Sequence, residues 1–345
     1  MFVSLLGLSH AETPDLGGAS RAAEFRELGR SILREITRTS PTLDDPVTGS
    51  YLVGLITRLR GANAITDQVP SITLFTSRRV NAFVLPGGYI GINAGLILEA
   101  PNESALASVL AHELAHLTQR HIERVFARRS GANLATLAAL FAGALVVRDN
   151  PEAARAALYS GIAASVQQQL DYSRQNEREA DRVGQKFLEN AGFDSVGMAE
   201  MLQHMSNLSA LNYRGGIEYL QTHPLTPNRV GEAWERARRQ TAAVAADPSP
   251  DFSLIKQRVA HLTEATLPES SASGYGDALA SLDADPDASL QHLDRLPEAL
   301  RESRISRLLR ARALSASGQA AAAETAFEEL ERDYPDDYLT QLIKA

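Results

Sequence analysis

The five residues His112-Glu113-Leu114-Ala115-His116 constrain this chain more than any other feature of it. Residues four apart on a helix lie about 40° apart around the axis, so both imidazoles can point at one metal ion. Glu113 follows the first histidine, where its carboxylate reaches a water activated by such an ion and can act as general base. The flanking sequence asks for the helix. Pro101 suits a first turn, Asn102, Glu103 and Ser104 offer capping groups, and apolar residues recur at Leu106, Val109, Leu110, Leu114, Leu117, Ile122, Val125 and Phe126. The motif therefore sits in mid-helix between buried positions, and the chemistry it suits is that of a zinc peptidase.

Catalytic zinc usually takes three protein ligands and keeps one position open. Gln119 and Ile122 stand where the metzincin pattern needs glycine and histidine, which excludes that class. His121 follows His116 by five residues, about 140° round a continuing helix, and is expected to face elsewhere, as a structural or surface histidine. A better source of the third ligand is Asn176-Glu177-Arg178-Glu179-Ala180-Asp181, inside a helical stretch running from about Pro151 to Asn190. Glu177 and Asp181 form an i, i+4 pair: one carboxylate can bind metal, and the other can accept a hydrogen bond from a liganding histidine. Glu179 is expected in solvent. Taken alone, the same run reads more readily as a charged helix surface.

Ahead of the motif, Val80–Leu85 and Tyr89–Ile92 are short β-favouring runs divided by Pro86-Gly87-Gly88, the pattern of a hairpin. An exposed strand beside the metal lets an extended peptide add its backbone to the sheet edge, which favours cleavage with little regard to sequence.

Four segments in this order carry a family resemblance: Asn81 to Gly88, His112 to His121, Glu177 to Asp181, and His223-Pro224-Leu225-Thr226 with Arg229 downstream. Over roughly residues 20 to 240 the chain resembles family M48 of zinc metallopeptidases, and within it the periplasmic BepA-type branch that carries a C-terminal tetratricopeptide region. The resemblance implies one zinc ion per chain held by His112, His116 and Glu177. It makes Glu113 the general base and has Asp181 orient His116 or His112. His223 becomes a loop histidine that approaches the metal as a regulatory fourth ligand or stands beside the oxyanion. It further implies hydrolysis of misfolded or stalled envelope proteins, with the outer-membrane assembly machinery as partner. A second reading is a latched, chaperone-like binding module with little proteolysis. A purely structural zinc site fits poorly, since such sites favour cysteine and this chain has none.

At 345 residues, 44% hydrophobic and 22% charged, the chain has the composition of a globular protein with room for two domains. Its net charge of −8 argues against nucleic acid as a partner, and the lack of cysteine excludes disulfides and thiol catalysis. Phe2 to Leu8 followed by Ser9-His10-Ala11 resembles the remnant of a secretory signal without its basic start, which fits a periplasmic location. Residues 132–147 are the most apolar stretch. They fall short of the roughly 20 residues that span a bilayer and read as a buried helix or a peripheral membrane contact.

Beyond about residue 240 the chain becomes rich in Ala, Asp, Ser and Pro, with a linker near Ala246-Asp247-Pro248-Ser249-Pro250. Helices are expected around Asp251–Leu262, Tyr275–Leu282 and Asp287–Leu300. Residues 304–337 fit one tetratricopeptide unit through Ala311, Leu314, Gly318, Ala323, Phe327, Leu330 and Pro335. The expected fold is α+β and mostly helical. It comprises a tail or signal remnant over residues 1–19, a gluzincin-like peptidase domain with a small antiparallel sheet over 20–245, and a tetratricopeptide-like helical domain over 251–345.

Overall fold

The computed structural model describes residues 16–66, 70–128, 163–211, 217–239 and 249–335. The signal remnant, residues 132–147 and most of the expected linker lie outside these. Among the described residues no helix is long and apolar enough to cross a membrane.

Helix α1 is Leu16–Thr39 and α2 is Pro46–Ala62. The Asp45 side chain caps α2 by accepting the Thr48 N–H at 3.0 Å, and Pro46 fills the first turn, where no donor is needed. Val47, Tyr51, Leu52, Leu55, Ile56 and Leu59 then make a buried stripe at helical spacing.

Three strands follow: β1 Ser71–Phe75, β2 Ala82–Leu85 and β3 Tyr89–Asn93. The expected hairpin is β2–β3, paired antiparallel from Ala82↔Ile92 to Leu85↔Tyr89. Its turn places Gly87 and Gly88 at φ 79° and 88°, a region that side chains strain to enter. The sheet as a whole corrects the antiparallel expectation. It is mixed, in the order β1-β3-β2, because residues 76–81 carry the chain past the sheet to the far edge and β3 returns between the other two strands. There β3 lies parallel to β1, from Ser71↔Tyr89 to Phe75↔Asn93. Phe25, Leu28 and Ile32 of α1 pack on Phe75, Phe83 and Leu85.

A short α3, Ala94–Glu99, leads into α4, Glu103–Thr118. Asn102 caps α4 by accepting the Ala105 N–H at 2.8 Å, and every residue from Ala105 to His116 is buried. The apolar pattern had suggested one helix as far as Phe126. Instead α4 ends at Thr118, Arg120 turns the chain at φ 52°, and α5 begins at His121 and runs to Arg128.

Helices α6, Ala163–Asn190, and α7, Val196–Ala210, both pack against α4. The α6 crossing is close: a Cβ at Gly184 would stand 3.0 Å from Ala111 O and His112 Cα. A single turn, α8 Tyr219–Thr222, and α9, Pro227–Arg239, complete this part, with α9 against α6 and α7.

The remaining described residues are helical: α10 Pro250–Leu262, α11 Ser273–Ser281, α12 Pro286–Asp294, α13 Glu298–Arg301, α14 Arg304–Ala316 and α15 Ala320–Asp333. Neighbours in sequence pack on each other, and Gly318 at φ 79° turns the chain between α14 and α15. Helix α10 joins this array to α2 and α3. Arg258 grips Asp45 through two hydrogen bonds of 2.8 and 2.6 Å, Lys256 Nζ donates to Ala100 O, and Leu254, Ile255 and Val259 share one apolar cluster with Leu52 and Leu59.

Candidate metal centre

Three elements bring four side chains to one point. Helix α4 supplies His112 and His116 from successive turns, α6 supplies Glu177, and the loop after α8 supplies His223. All four are buried. His112 Nε2 lies 2.9 Å from His116 Nε2, 3.3 Å from Glu177 Oε2 and 3.3 Å from His223 Nδ1. Glu177 Oε1 is 3.4 Å from His116 Nε2 and 3.1 Å from His223 Nδ1.

A tetrahedral zinc ion with bonds of about 2.0–2.2 Å sets its ligand atoms about 3.3–3.6 Å apart, so these separations are within a few tenths of an ångström of the requirement. Three imidazole nitrogens and a carboxylate converging in a buried site leave lone pairs that a proton or a cation between them would bridge. The donor set is that of zinc, three nitrogens and one oxygen, and it is closed if all four bind and open if His223 withdraws.

The surrounding charges hold the ligands in usable form. Burial disfavours the charge on Glu177, but the charge of His223 and a hydrogen bond from His112 keep its carboxyl well below the usual range. Asp181 is the partner of His112, its Oδ1 lying 3.0 Å from Nδ1. Against its own burial, the Arg229 fork at 2.8 and 2.9 Å and the His112 ring hold Asp181 ionised. Burial pushes the His116 pKa down to about 3, leaving its ring neutral. His112 is buried too, yet hydrogen bonds to Asp181 and Glu177 hold its pKa up to about 10, so a cation binding here displaces a proton.

Glu113 lies beside this cluster on the same helix. It is buried, and neither of its oxygens has a hydrogen-bond partner; the nearest opposite group is His223 Nε2, 3.5 Å from Oε1. A buried carboxylate without a partner is costly. Water or substrate held between it and an ion would satisfy it.

Of the residues singled out in the sequence, His112, Glu113, His116, Glu177, Asp181 and His223 come together, and Asp181 meets His112 rather than His116. His121 stands outside this cluster as a structural histidine: the break at Arg120 sets it against the far side of the His116 ring, its Nδ1 2.8 Å from His116 Nδ1. One expectation is corrected. Glu179 is not free in solvent but pairs with His121 and Arg124 at 3.2 and 2.7 Å.

Two further residues had carried no assigned role. Tyr219 stacks on His223 with centroids 4.4 Å apart. Arg229, besides holding Asp181, donates from Nη1 to the carbonyl oxygens of His223 and Pro224 and lies 3.1 Å from Glu177. An arginine six residues after a His-Pro was a signal for the second; nothing local pointed to the first.

Residues 53–237, more than half of the chain, match the profile of Peptidase family M48. A Vibrio cholerae protein provisionally named beta-barrel assembly-enhancing protease is 37% identical over 256 residues, covering 72% of this chain and 52% of the relative. The beta-barrel assembly-enhancing protease of Escherichia coli is 31% identical over 250 residues, covering 71% and 51%. The mitochondrial metalloendopeptidase OMA1 of Saccharomyces cerevisiae is 31% identical over 153 residues, covering 44% and 41%. The chain thus spans about half the length of the bacterial relatives it matches.

Proposed function

We propose, from the premise that this chain belongs to peptidase family M48, that it is a zinc-dependent endopeptidase acting on misfolded or stalled proteins of the bacterial envelope. The observation that carries the chemistry is the pairing of a zinc-shaped donor set with a buried carboxylate, one residue away, that has no hydrogen-bond partner. His112, His116 and Glu177 hold the ion, and Asp181 with Arg229 fixes the His112 ring. Bound there, zinc supplies Lewis acidity, polarising a carbonyl and making water acidic enough to be deprotonated near pH 7. Glu113 accepts the proton of the attacking water and passes it to the leaving amine as the C–N bond breaks, so the carboxylate is regenerated at the end of the cycle.

His223 is the latch of this site. Its loop holds on at a second place: Ile217 bridges in parallel to Val80, the Tyr219 N–H donates to Val80 O at 3.1 Å, and Glu218 pairs with Arg79. Val80 leads into β2, the edge strand on the active-helix side, where an extended peptide would add its backbone. The loop therefore occupies both a metal position and the approach to the substrate edge.

The remaining assignments rest on the sequence and, for the setting alone, on the names of the bacterial relatives. Residues 20–245 form the peptidase domain and 251–345 a tetratricopeptide-like helical domain. The periplasm is the compartment, and the assembly of outer-membrane proteins is the setting. The closed loop favours one competing reading, a binding module whose metal site stays shut.

The test is zinc content together with casein hydrolysis. Wild type binds one zinc per chain, Glu113→Gln keeps the zinc and loses about 10²–10⁴-fold in cleavage, and His223→Ala cleaves faster than wild type. Absence of zinc, or cleavage indifferent to Glu113→Gln, overturns the peptidase. A His223→Ala protein that binds zinc and cleaves nothing leaves the binding module.

A further inference from the structure

A second imidazole stands behind one of the ligands. His121 is buried, its Nδ1 faces His116 Nδ1 at 2.8 Å, and its Nε2 faces Glu179 Oε2 at 3.2 Å. Arg124 donates to the same carboxylate oxygen at 2.7 Å and to Asn176 Oδ1 at 3.3 Å. With both rings neutral, only one placement of protons satisfies these contacts and leaves His116 Nε2 free to bind an ion. His116 carries its proton on Nδ1 and donates it to the bare Nδ1 of His121. His121 then keeps its own proton on Nε2 and donates it to Glu179, whose charge Arg124 balances.

We propose that His121 is a positioning residue for the metal centre, fixing the tautomer and orientation of His116 through the relay His116–His121–Glu179–Arg124. The inference rests on the zinc reading given above. Its logic is that of the other ligand, where His112 leans on Asp181 and Asp181 on Arg229. In each case an imidazole is backed by a carboxylate that is backed by a guanidinium, but on the His116 side an extra ring is inserted. A neutral ring holds its neighbour in place while lending it less charge than a carboxylate in direct contact would. His116 is therefore the more weakly supported of the two histidines, and the support it has depends on an acceptor atom at the Nδ1 position of residue 121.

That dependence can be read with two amides of like polarity. In His121→Asn the amide oxygen takes the place of Nδ1 and can accept from His116; in His121→Gln the amide lies farther out, toward Glu179, and the acceptor is lost. Zinc affinity is measured by chelator competition on the full chain, with thermal unfolding of the metal-free proteins as the control for packing.

The expected result is a loss of about 10–100-fold in affinity for His121→Gln and retention within about threefold for His121→Asn, with equal metal-free stabilities. Zinc affinity unchanged in His121→Gln overturns the inference, as does an equal fall in both variants. Either result in a wild type that binds zinc and needs Glu113 for cleavage leaves the peptidase standing. A wild type that binds no zinc removes both.

Discussion

Two clusters of buried charge in this molecule are built from similar groups and come to opposite ends. Where α10 meets α2, Asp45 accepts the Thr48 N–H and hydroxyl on one oxygen together with Arg258 Nε, while its other oxygen accepts Arg258 Nη2. Both oxygens have donors. At the metal centre a similar carboxylate, Glu113, has no donor on either oxygen, and four ligand atoms crowd one point. The first cluster is closed and serves cohesion. The second is unfinished, because its missing partners arrive from outside, as ion, water and substrate. Buried charge alone does not mark a site; the lack of a mate does.

The contrast can be broken from either side. The largest effect on stability is expected from Asp45→Ala, which strands the Arg258 guanidinium: urea unfolding should show a loss of about 3–5 kcal/mol, with cleavage per folded molecule unchanged. If stability holds, the joint is not what ties the helical array to α2. Next in size is zinc itself, which at about 100 times its Kd should raise stability by about 2.7 kcal/mol, seen as a higher Tm that chelator reverses. At the same zinc concentration Glu177→Gln should show a smaller rise, and an equal rise would remove Glu177 from the ligand set.

Smaller still is the gain expected from Glu113→Gln, which replaces a buried carboxyl without a hydrogen-bond partner by an amide: about 1–3 kcal/mol of added stability in the metal-free protein, opposite in sign to its effect on cleavage. A destabilised Glu113→Gln would mean the carboxylate has a cohesive role after all.

The smallest effect concerns acid. Burial opposes the Asp45 charge, but Arg258 and Thr48 outweigh it and hold the carboxyl below its ordinary 3.8. A folded pKa lower than the unfolded one means that the Asp45 contribution is fully present above 3.8 and is lost as pH falls through that value toward the folded one. Tm measured from about pH 5 to pH 2 should fall more steeply in wild type than in Asp45→Asn. Parallel curves would show that Asp45 does not titrate with folding.

Much of the site was legible because it is written in helical spacing. His112 with His116 and Glu177 with Asp181 are i, i+4 pairs, and such pairs share a face wherever the helix runs. The hairpin was legible from Pro86-Gly87-Gly88 for the same local reason. What escaped was decided by contact at a distance or by a break in periodicity. Extrapolating one helix through residue 126 concealed the contact of His121 with His116, which exists because Arg120 at φ 52° ends α4. Strand β1 finds its partner only after the chain has built β2, and Asp45 meets an arginine 213 residues away. No window of sequence contains such pairings.

The Arg229 side chain has a use that its hydrogen-bond partners imply. Nε and Nη2 grip the two oxygens of Asp181, and Nη1 reaches the carbonyls of His223 and Pro224 while lying 3.1 Å from Glu177. The guanidinium is thus a fixed post with a detachable hook. If the loop lifts away as proposed, the hook would lose its two carbonyls and keep Glu177, and the post would keep its hold on Asp181 and, through it, on His112. On the proposed latch, opening the gate and loosening the metal would be mechanically separate acts, because the grip on Asp181 does not run through the loop.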